Sequence, residues 1–205
     1  MNPMESVTSP ASVGGVLGQV KPGGRALPAA EVYRNLKLVI LDVDGTLNDG
    51  MIALDRNGME TNFFDVRDGT GLTFLRLAGI SVALISGREN PIAARWAKDM
   101  NIPARHVHLG ALRKLPAYES LLTECGVKHE ETVYMADDVI DVPVLEKVGL
   151  AACPADSYHQ LTHYCNIQTL ARGGHGAVRQ LCEHLLLQRQ DQSWERVIRK
   201  YWGLE

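Results

Sequence analysis

Short apolar runs alternate with helix-compatible stretches over most of this 205-residue chain, and this alternation constrains the fold more than any other feature. The runs have the length of strands and cover residues 36–41, 81–85, 106–109, 132–135 and 150–153. The other stretches carry apolar residues three or four positions apart and cover residues 69–78, 91–100, 113–124, 140–147 and 177–187. Continuously apolar strands are typical of a sheet that is buried on both faces. We therefore predict an α/β fold, a Rossmann-like parallel sheet with helices on both faces.

One segment departs from this alternation directly after the first run. Residues 51–55 and 59–66 flank the dipeptide Asn57-Gly58. This dipeptide readily adopts the positive φ angles of a tight hairpin turn. The sequence therefore predicts a β-hairpin that projects from the sheet after the first strand.

The two ends of the chain differ in composition from its middle. Residues 1–30 are rich in Gly and Pro and show no sustained period, a composition that buries too little apolar surface to offset the entropy of ordering. Residues 189–205 are mostly polar, although they carry Trp194 and Trp202. We expect a flexible leader (1–30), one compact domain (31–188) and a C-terminal tail (189–205).

Charge and composition argue against several classes of protein. The net charge is −3 and the chain has no basic run, so it lacks the electrostatic footprint of a nucleic-acid binder. Its apolar runs are much shorter than the ~20 residues of a membrane helix. Residues 1–30 lack the pattern of a signal peptide, and the four cysteines lack metal-binding spacing. We expect a cytoplasmic protein with reduced, half-buried cysteines, and neither nucleic acid nor a membrane as partner.

The first run ends at the motif Asp42-Val43-Asp44-Gly45-Thr46. Ligands of open α/β sheets bind beyond the carboxyl ends of the strands, where this motif is predicted to lie. Two carboxylates one residue apart can divide the chemistry, because one can attack or bind a metal while the other transfers a proton. A plain polar turn is the alternative interpretation, since Asp and Gly are common turn formers.

Ser86-Gly87-Arg88 follows the second run and is predicted to reach the same edge of the sheet. A hydroxyl and free backbone N–H groups at that place can bind a phosphate. Taken alone, Ser-Gly after a strand is an ordinary loop. Its coincidence with the Asp motif favours a functional role.

Acidic residues also follow the fourth run, at Asp137, Asp138 and Asp141. Carboxylates that converge on one edge repel each other unless a cation lies between them, and oxygen ligands suit Mg²⁺. Asp138 and Asp141 are also well placed to cap the next helix. We therefore predict that Asp137 is the metal ligand of this group.

The order of these motifs, DxDGT, Ser86, Lys114 and DDxxD, resembles that of the phosphatases of the haloacid dehalogenase (HAD) superfamily. The resemblance implies that Asp42 is a nucleophile that becomes transiently phosphorylated and that Asp44 is the general acid and base. It implies that Ser86 and Lys114 bind the oxygens of the transferred phosphoryl group. It also implies that Asp42, the backbone carbonyl of Asp44 and Asp137 hold Mg²⁺, which helps to neutralise the phosphoryl group.

A closer resemblance, over about residues 36–188, is to the 3-deoxy-D-manno-octulosonate 8-phosphate (KDO 8-phosphate) phosphatases. The matching pieces are the hairpin, Lys114 and the segments LDVDGTLNDG, FFDVRDGTGL, ISGR, ADDVIDVPVLEKVGL and GGHGAVR. The resemblance implies a fold with a hairpin flap and no large cap, a phosphorylated sugar acid as substrate and a role in lipopolysaccharide biosynthesis. It also implies a homotetramer assembled through the hairpins, in which the Gly-rich segment 173–179 of one subunit closes over a neighbour's site.

Two residues depart from the pattern of these phosphatases. Ala136 stands where Gly is usual, and His175 stands where Arg is common, which weakens a fixed cation near the substrate. Arg67 and Asp68 can contact the sugar acid or can form an ion pair at a helix start. The substrate contacts that we predict are Thr46, Arg67, Gly87, Arg88 and His175.

Other functions fit the sequence less well. A dehalogenase normally lacks the second Asp of the motif, so Asp44 argues against it, and a phosphonatase needs a lysine on a cap for which this chain has no room. A phosphatase of another ulosonic acid, such as KDN 9-phosphate, is the main enzymatic rival. The fold also occurs as a non-catalytic oligomerisation module. The presence of every predicted catalytic and metal-binding residue disfavours that alternative.

Overall fold

The computed structural model describes residues 20–189 and 193–204. Its strands and helices are, in chain order, β1 (Val20–Pro22), α1 (Ala30–Asn35), β2 (Leu38–Leu41), β3 (Ala53–Leu54), β4 (Glu60–Thr61), α2 (Val66–Leu77), β5 (Ser81–Ile85), α3 (Pro91–Asp99), β6 (Val107–His108), α4 (Lys114–Cys125), β7 (Thr132–Met135), α5 (Val142–Leu145), β8 (Leu150–Cys153), β9 (Ile167–Thr169), α6 (Ala177–Gln188) and α7 (Ser193–Tyr201). Short 3₁₀ turns precede β6, β7, α5 and β9.

In the described part of the chain, seven strands form the central sheet, in the order β1-β9-β8-β7-β2-β5-β6. All neighbouring strands pair in parallel except β1, which is antiparallel to β9. The chain builds outward from β2 in both directions, first through β5 and then through β7. The carboxyl end of β2 is therefore a switch point of the topology, where open α/β sheets form a ligand crevice. The predicted parallel sheet is confirmed.

Side chains of β2 show how the sheet is buried on both faces. Val39 and Leu41 belong to a core built with α2, α3 and α6, whereas Leu38 and Ile40 belong to a core built with α4 and α5. All four side chains are fully buried. Burial of each such side chain contributes about 1.5–3 kcal/mol, so the strand that leads into Asp42 is firmly held.

The predicted hairpin is present, with a shorter paired part than the sequence suggested. β3 and β4 pair antiparallel over two residues each, and Gly58 in the turn has a φ of 77°. The hairpin and its flanks expose the apolar side chains of Met51, Leu54, Met59 and Phe63. An exposed apolar group of this kind is typical of an interaction surface.

The structure contains regular elements within both the predicted leader and the predicted tail. β1 completes one edge of the sheet, and the N–H group of Gly23 donates to the carbonyl of Asn166 at 2.9 Å. α7 packs on α2, where the ring of Trp194 meets that of Phe74 edge-on with 5.7 Å between centroids. A three-residue strand gives little sequence signal. For α7 the signal was overlooked, because Trp194, Val197, Ile198 and Tyr201 have the spacing of one helix face. Residues 1–19 of the predicted leader lie outside the described residues.

The structure also differs from two smaller expectations. The predicted helix at 140–147 is a 3₁₀ turn followed by α5, which has only four residues. The cysteines are free, as expected, but Cys153, Cys165 and Cys182 are fully buried and not half-buried. In the part of the chain that the structure describes, no helix combines the length and the apolar character needed to cross a membrane.

Candidate active site

Asp42 lies directly after β2, and its N–H group donates to the carbonyl of Met135 on the neighbouring β7 at 2.9 Å. The residue is 5% exposed. Its Oδ1 lies 2.8 Å from Nζ of Lys114 and accepts from the N–H group of Val43 at 2.7 Å. Burial raises the pKa of Asp42 to about 8. Lys114 lowers this pKa, whereas the negative charges of Asp141 and Asp137 raise it further. An ionised Asp42 therefore requires more positive charge nearby than Lys114 supplies.

Lys114 is the first residue of α4, as predicted, and its side chain is buried at the edge of the sheet. Nζ lies 2.7 Å from Oδ1 of Asp141, and the hydroxyl of Tyr134 donates to the same oxygen at 2.5 Å. Burial lowers the pKa of Lys114, but Asp42 and Asp141 outweigh this effect and raise it above its usual value. Lys114 is therefore a fixed cation beside the predicted nucleophile.

The two acidic residues that were possible helix caps have different roles. Oδ1 of Asp138 accepts from the N–H group of Val139 at 2.6 Å, so the capping interpretation holds for Asp138. It is wrong for Asp141, because that carboxylate lies inside the protein and contacts Lys114 and Tyr134. The DDxxD pattern contained Asp141, but only the fold shows that the third Asp turns inward.

Asp137 has the properties expected of a cation ligand. Its Oδ1 is buried and has no hydrogen-bond partner among the described residues. Burial raises the pKa of Asp137 to about 6, with help from Asp141. A Cβ at Gly45 would lie 2.1 Å from Oδ2 of Asp137, so this carboxylate rests against the loop that follows Asp42. Glycine at position 45 makes this close approach possible.

The donor set fits Mg²⁺. Among residues 20–189 and 193–204, no three His, Cys, Asp or Glu side chains form a complete metal site. The carboxylates of Asp42 and Asp137 therefore need backbone oxygens or waters as further ligands. Mg²⁺ commonly binds through one or two carboxylates and keeps several waters.

Asn48 holds the predicted general acid, and sequence reasoning missed it. Its Nδ2 donates to Oδ1 of Asp44 at 2.8 Å, and its Oδ1 accepts from the N–H groups of Gly45 at 3.1 Å and Gly50 at 2.8 Å. Asn48 is fully buried. An Asn near a DxDG turn is a usable signal, because Asn side chains often bond to nearby backbone groups in turns.

Ser86 and Arg88 come to the same edge from β5. Ser86 is 1% exposed, and its hydroxyl accepts from the N–H group of Arg88 at 3.1 Å. NH1 of Arg88 lies 3.5 Å from Oδ2 of Asp44, and its NH2 lies 3.0 Å from Oε2 of Glu60 on β4. A Cβ at Gly87 would meet no described atom within 4 Å, so the loop is open beside it. Arg88 thus connects the hairpin with Asp44.

Three of the predicted substrate contacts are less directly connected to Asp42. Thr46 is fully buried, and its carbonyl accepts from the N–H group of Gly174 at 3.0 Å. Arg67 and His175 are exposed, and NH2 of Arg67 donates to the carbonyl of His175 at 3.2 Å. Arg67 also pairs with Asp65. The substrate roles of Thr46, Arg67 and His175 stay predictions.

The Gly-rich segment packs against the Asp44 loop of its own chain. A Cβ at Gly173 would lie 1.9 Å from the carbonyl oxygen of Gly45, and one at Gly174 would lie 2.5 Å from the carbonyl carbon of Asn48. The close contacts explain these two glycines within a single subunit. The predicted closure over a neighbour's site stays a prediction.

Comparisons with known proteins agree with this geometry. No protein-family model matches the chain. It is 40% identical over 153 residues to the 3-deoxy-D-manno-octulosonate 8-phosphate phosphatase KdsC of Escherichia coli, a match that covers 75% of this chain and 80% of the relative.

Two solved structures are also similar. A HAD-superfamily (subfamily III A) hydrolase from Legionella pneumophila has a TM-score of 0.80 and 33% identity, over 85% of this chain and 93% of the other. The KDO 8-phosphate phosphatase of Moraxella catarrhalis, in complex with magnesium, phosphate and KDO, has a TM-score of 0.78 and 31% identity. This match covers 84% of this chain and 97% of the other. This chain therefore belongs to the KDO 8-phosphate phosphatase family of the HAD superfamily.

Proposed function

We propose that this protein hydrolyses KDO 8-phosphate to KDO and inorganic phosphate, with Mg²⁺ as its cofactor. The observation that carries the proposal is the convergence of Asp42, Lys114, Ser86 and Asp137 at the carboxyl end of β2, in a chain 40% identical to a KDO 8-phosphate phosphatase. The M. catarrhalis relative contains magnesium, phosphate and KDO, which supports both the cofactor and the substrate. Hydrolysis of KDN 9-phosphate is the less favoured alternative.

The proposed reaction transfers the phosphoryl group twice. An oxygen of the Asp42 carboxylate attacks phosphorus and the P–O bond to the sugar breaks, while Asp44 donates a proton to the departing sugar oxygen. Water then attacks the phosphoryl-Asp42 intermediate and gives its proton to Asp44. This step releases phosphate and restores both carboxyl groups.

Neutralisation of charge is the main task of the surrounding residues. Lys114 lies beside Asp42, and in the proposed reaction the hydroxyl of the buried Ser86 binds a phosphoryl oxygen. The residues that would hold Mg²⁺ are Asp42, Asp137 and, through its backbone carbonyl, Asp44. The bound cation would supply positive charge that allows an anionic carboxylate to approach an anionic phosphate.

The decisive experiment compares KDO 8-phosphate, KDN 9-phosphate and p-nitrophenyl phosphate by kcat/KM, with Mg²⁺ and with EDTA. We expect KDO 8-phosphate to be preferred and EDTA to abolish turnover. Asp42→Asn keeps the shape of the side chain but removes the nucleophilic charge, so activity should fall by at least about 10³-fold. A preference for KDN 9-phosphate would show that KDO 8-phosphate is not the preferred substrate. An Asp42→Asn variant with more than a few per cent of wild-type activity would refute the role of Asp42 as the nucleophile.

The metal ligand can be tested with two neighbouring acids. Asp137→Asn should weaken Mg²⁺ binding severely in calorimetric titrations, because a buried carboxylate is lost from the donor set. Asp138→Asn is the matched control, since its exposed carboxylate only caps a 3₁₀ turn. Equal effects of the two substitutions would place the metal elsewhere.

The homotetramer and the cytoplasmic location belong to the same proposal. The exposed apolar side chains of Met51, Leu54, Met59 and Phe63 support an assembly through the hairpin. Sedimentation velocity should give the mass of four subunits. A monomer at micromolar concentration would contradict the assembly.

A further inference from the structure

Asp68 is a buried carboxylate that the reaction described above does not use. It lies in the first turn of α2 and is 0% exposed, so it cannot touch a substrate. Its Oδ1 accepts from the backbone N–H group of Arg179 at 2.7 Å, and its Oδ2 is buried without a hydrogen-bond partner among the described residues. Arg179 lies in the first turn of α6. The alternative roles that the sequence left open, a sugar contact or an ion pair at a helix start, do not describe this side chain.

The start of α6 depends on this distant carboxylate. Gly176 is the residue before α6, with a φ of 93°, and it offers no side chain to cap the helix. The first N–H groups of a helix lack partners within the helix, and a carboxylate placed there is favourable. Asp68 therefore caps α6 from a separate helix. α2 and α6 also approach closely here, since a Cβ at Gly71 would lie 3.3 Å from the Cα of Arg179.

The segment before α6 transmits this anchor to the catalytic loop. The N–H group of Gly174 donates to the carbonyl of Thr46 at 3.0 Å, and Gly173 lies against the carbonyl oxygen of Gly45. The other side of the segment is held by Asp156, whose Oδ1 accepts from the N–H group of Gly173 at 2.9 Å. Gly45 and Thr46 directly follow Asp44 in the chain.

We propose that Asp68 is a positioning residue for Asp44, because it fixes the start of α6 and thereby the glycines that hold the loop of residues 44–48. The proposal rests on the proposed phosphatase function for its kinetic consequence. Asp44 donates a proton to the leaving group, so a displaced loop should matter most where the leaving group needs that proton. A sugar alkoxide needs it, whereas p-nitrophenolate leaves with little help.

The test compares kcat/KM for KDO 8-phosphate and p-nitrophenyl phosphate in Asp68→Ala, since kcat/KM reports the steps up to the first phosphoryl transfer. General acid catalysis contributes about 10²–10⁴-fold, and a small displacement loses part of it. We expect kcat/KM to fall about 10- to 100-fold for KDO 8-phosphate and less than about threefold for p-nitrophenyl phosphate. Asp68→Asn keeps an acceptor oxygen of the same shape and should restore most of the difference.

Leu185→Ala is the control for a general loss of stability. Leu185 is a fully buried residue of α6. Among the described residues, it forms no hydrogen bond with Asp68 or with the glycine segment. This variant should leave the ratio of the two kcat/KM values unchanged. The same ratio in Asp68→Ala and wild type, or an equal change in Leu185→Ala, would overturn the proposal.

Amide hydrogen exchange tests the positioning without any activity. In Asp68→Ala, residues 43–50 and 172–180 should exchange faster than in wild type, whereas Leu185→Ala should leave residues 43–50 unaffected. Should the wild type hydrolyse no phosphate ester, the proposed function fails and hydrogen exchange alone decides the role of Asp68. Unchanged exchange in residues 43–50 would then refute it.

Discussion

Two regions of this molecule bury ionisable side chains with opposite outcomes. At the carboxyl end of β2, Lys114 lies between Asp42 and Asp141, at 2.8 and 2.7 Å. Between α1 and α6, Nε2 of His184 lies 3.2 Å from the hydroxyl of Tyr33. Burial lowers the pKa of His184 to about 4 and raises that of Tyr33 to about 12. The second pair is therefore uncharged near neutral pH, while the first group contains a buried cation between carboxylates.

The comparison separates burial that serves packing from burial that serves chemistry. A buried group can avoid the penalty of desolvation by becoming neutral, as His184 and Tyr33 do. If Asp42 became neutral, it would lose the negative charge that its proposed role as nucleophile requires. The group around Asp42 keeps Lys114, and it leaves Oδ1 of Asp137 without a hydrogen-bond partner among the described residues. Concentrated charge of this kind is typical of a functional site.

Removal of Lys114 should break the charged region most severely. Lys114→Met leaves Asp42 and Asp141 buried together without their cation, and the loss of one partner from a buried ionic group typically costs about 3–5 kcal/mol. The free energy of unfolding, measured by urea denaturation with EDTA present, should fall by that amount. Activity should fall as well, because Lys114 is also the predicted ligand of the phosphoryl group.

Lys147→Met is the control for this substitution. Nζ of Lys147 lies 3.2 Å from Glu119, but the two side chains are 42% and 44% exposed. An exposed ion pair contributes about 0–1 kcal/mol. A loss of similar size in both variants would show that Lys114 is an ordinary ion-pair partner and that the charged region is not distinctive.

Sequence reasoning located the fold well where burial is continuous and poorly at the edges of the chain. The apolar runs predicted β2, β5, β7 and β8 because strands buried on both faces need apolar residues throughout. β1 was missed because three residues that include Pro22 do not form a pattern. α7 was missed because the segment was interpreted from its polar composition, although Trp194, Val197, Ile198 and Tyr201 recur at helical spacing.

The site divides in a similar way. The order of motifs predicted roles for Asp42, Lys114 and Asp137, and the structure brings these residues to one edge of the sheet. The roles of Asp68 and Asp141 could not be predicted from the sequence, because the partner of each is distant in the chain. Asp68 bonds to Arg179, and Asp141 pairs with Lys114. A contact between two helices or between buried side chains leaves no mark on local sequence.

The neutral region gives the smaller expected effect, and it appears as a dependence of stability on pH. His184 takes up a proton near pH 4 in the folded protein and near its ordinary value of 6.5 in the unfolded chain. Between these values the unfolded chain binds more protons, so stability falls as the pH falls. From about pH 7 to about pH 5 this contribution amounts to about 2 kcal/mol.

His184→Phe should remove this contribution, although the lost contact with Tyr33 will also lower stability at pH 7. The quantity to compare is therefore the difference in the free energy of unfolding between the two pH values, measured by urea denaturation for each protein. Asp68 acts in the opposite direction, because burial raises its pKa to about 6 and the folded protein then binds its proton first. Since both proteins contain Asp68, its effect cancels in the comparison. Equal pH differences in wild type and His184→Phe would mean that His184 is protonated inside the fold, and the contrast with the charged region would then disappear.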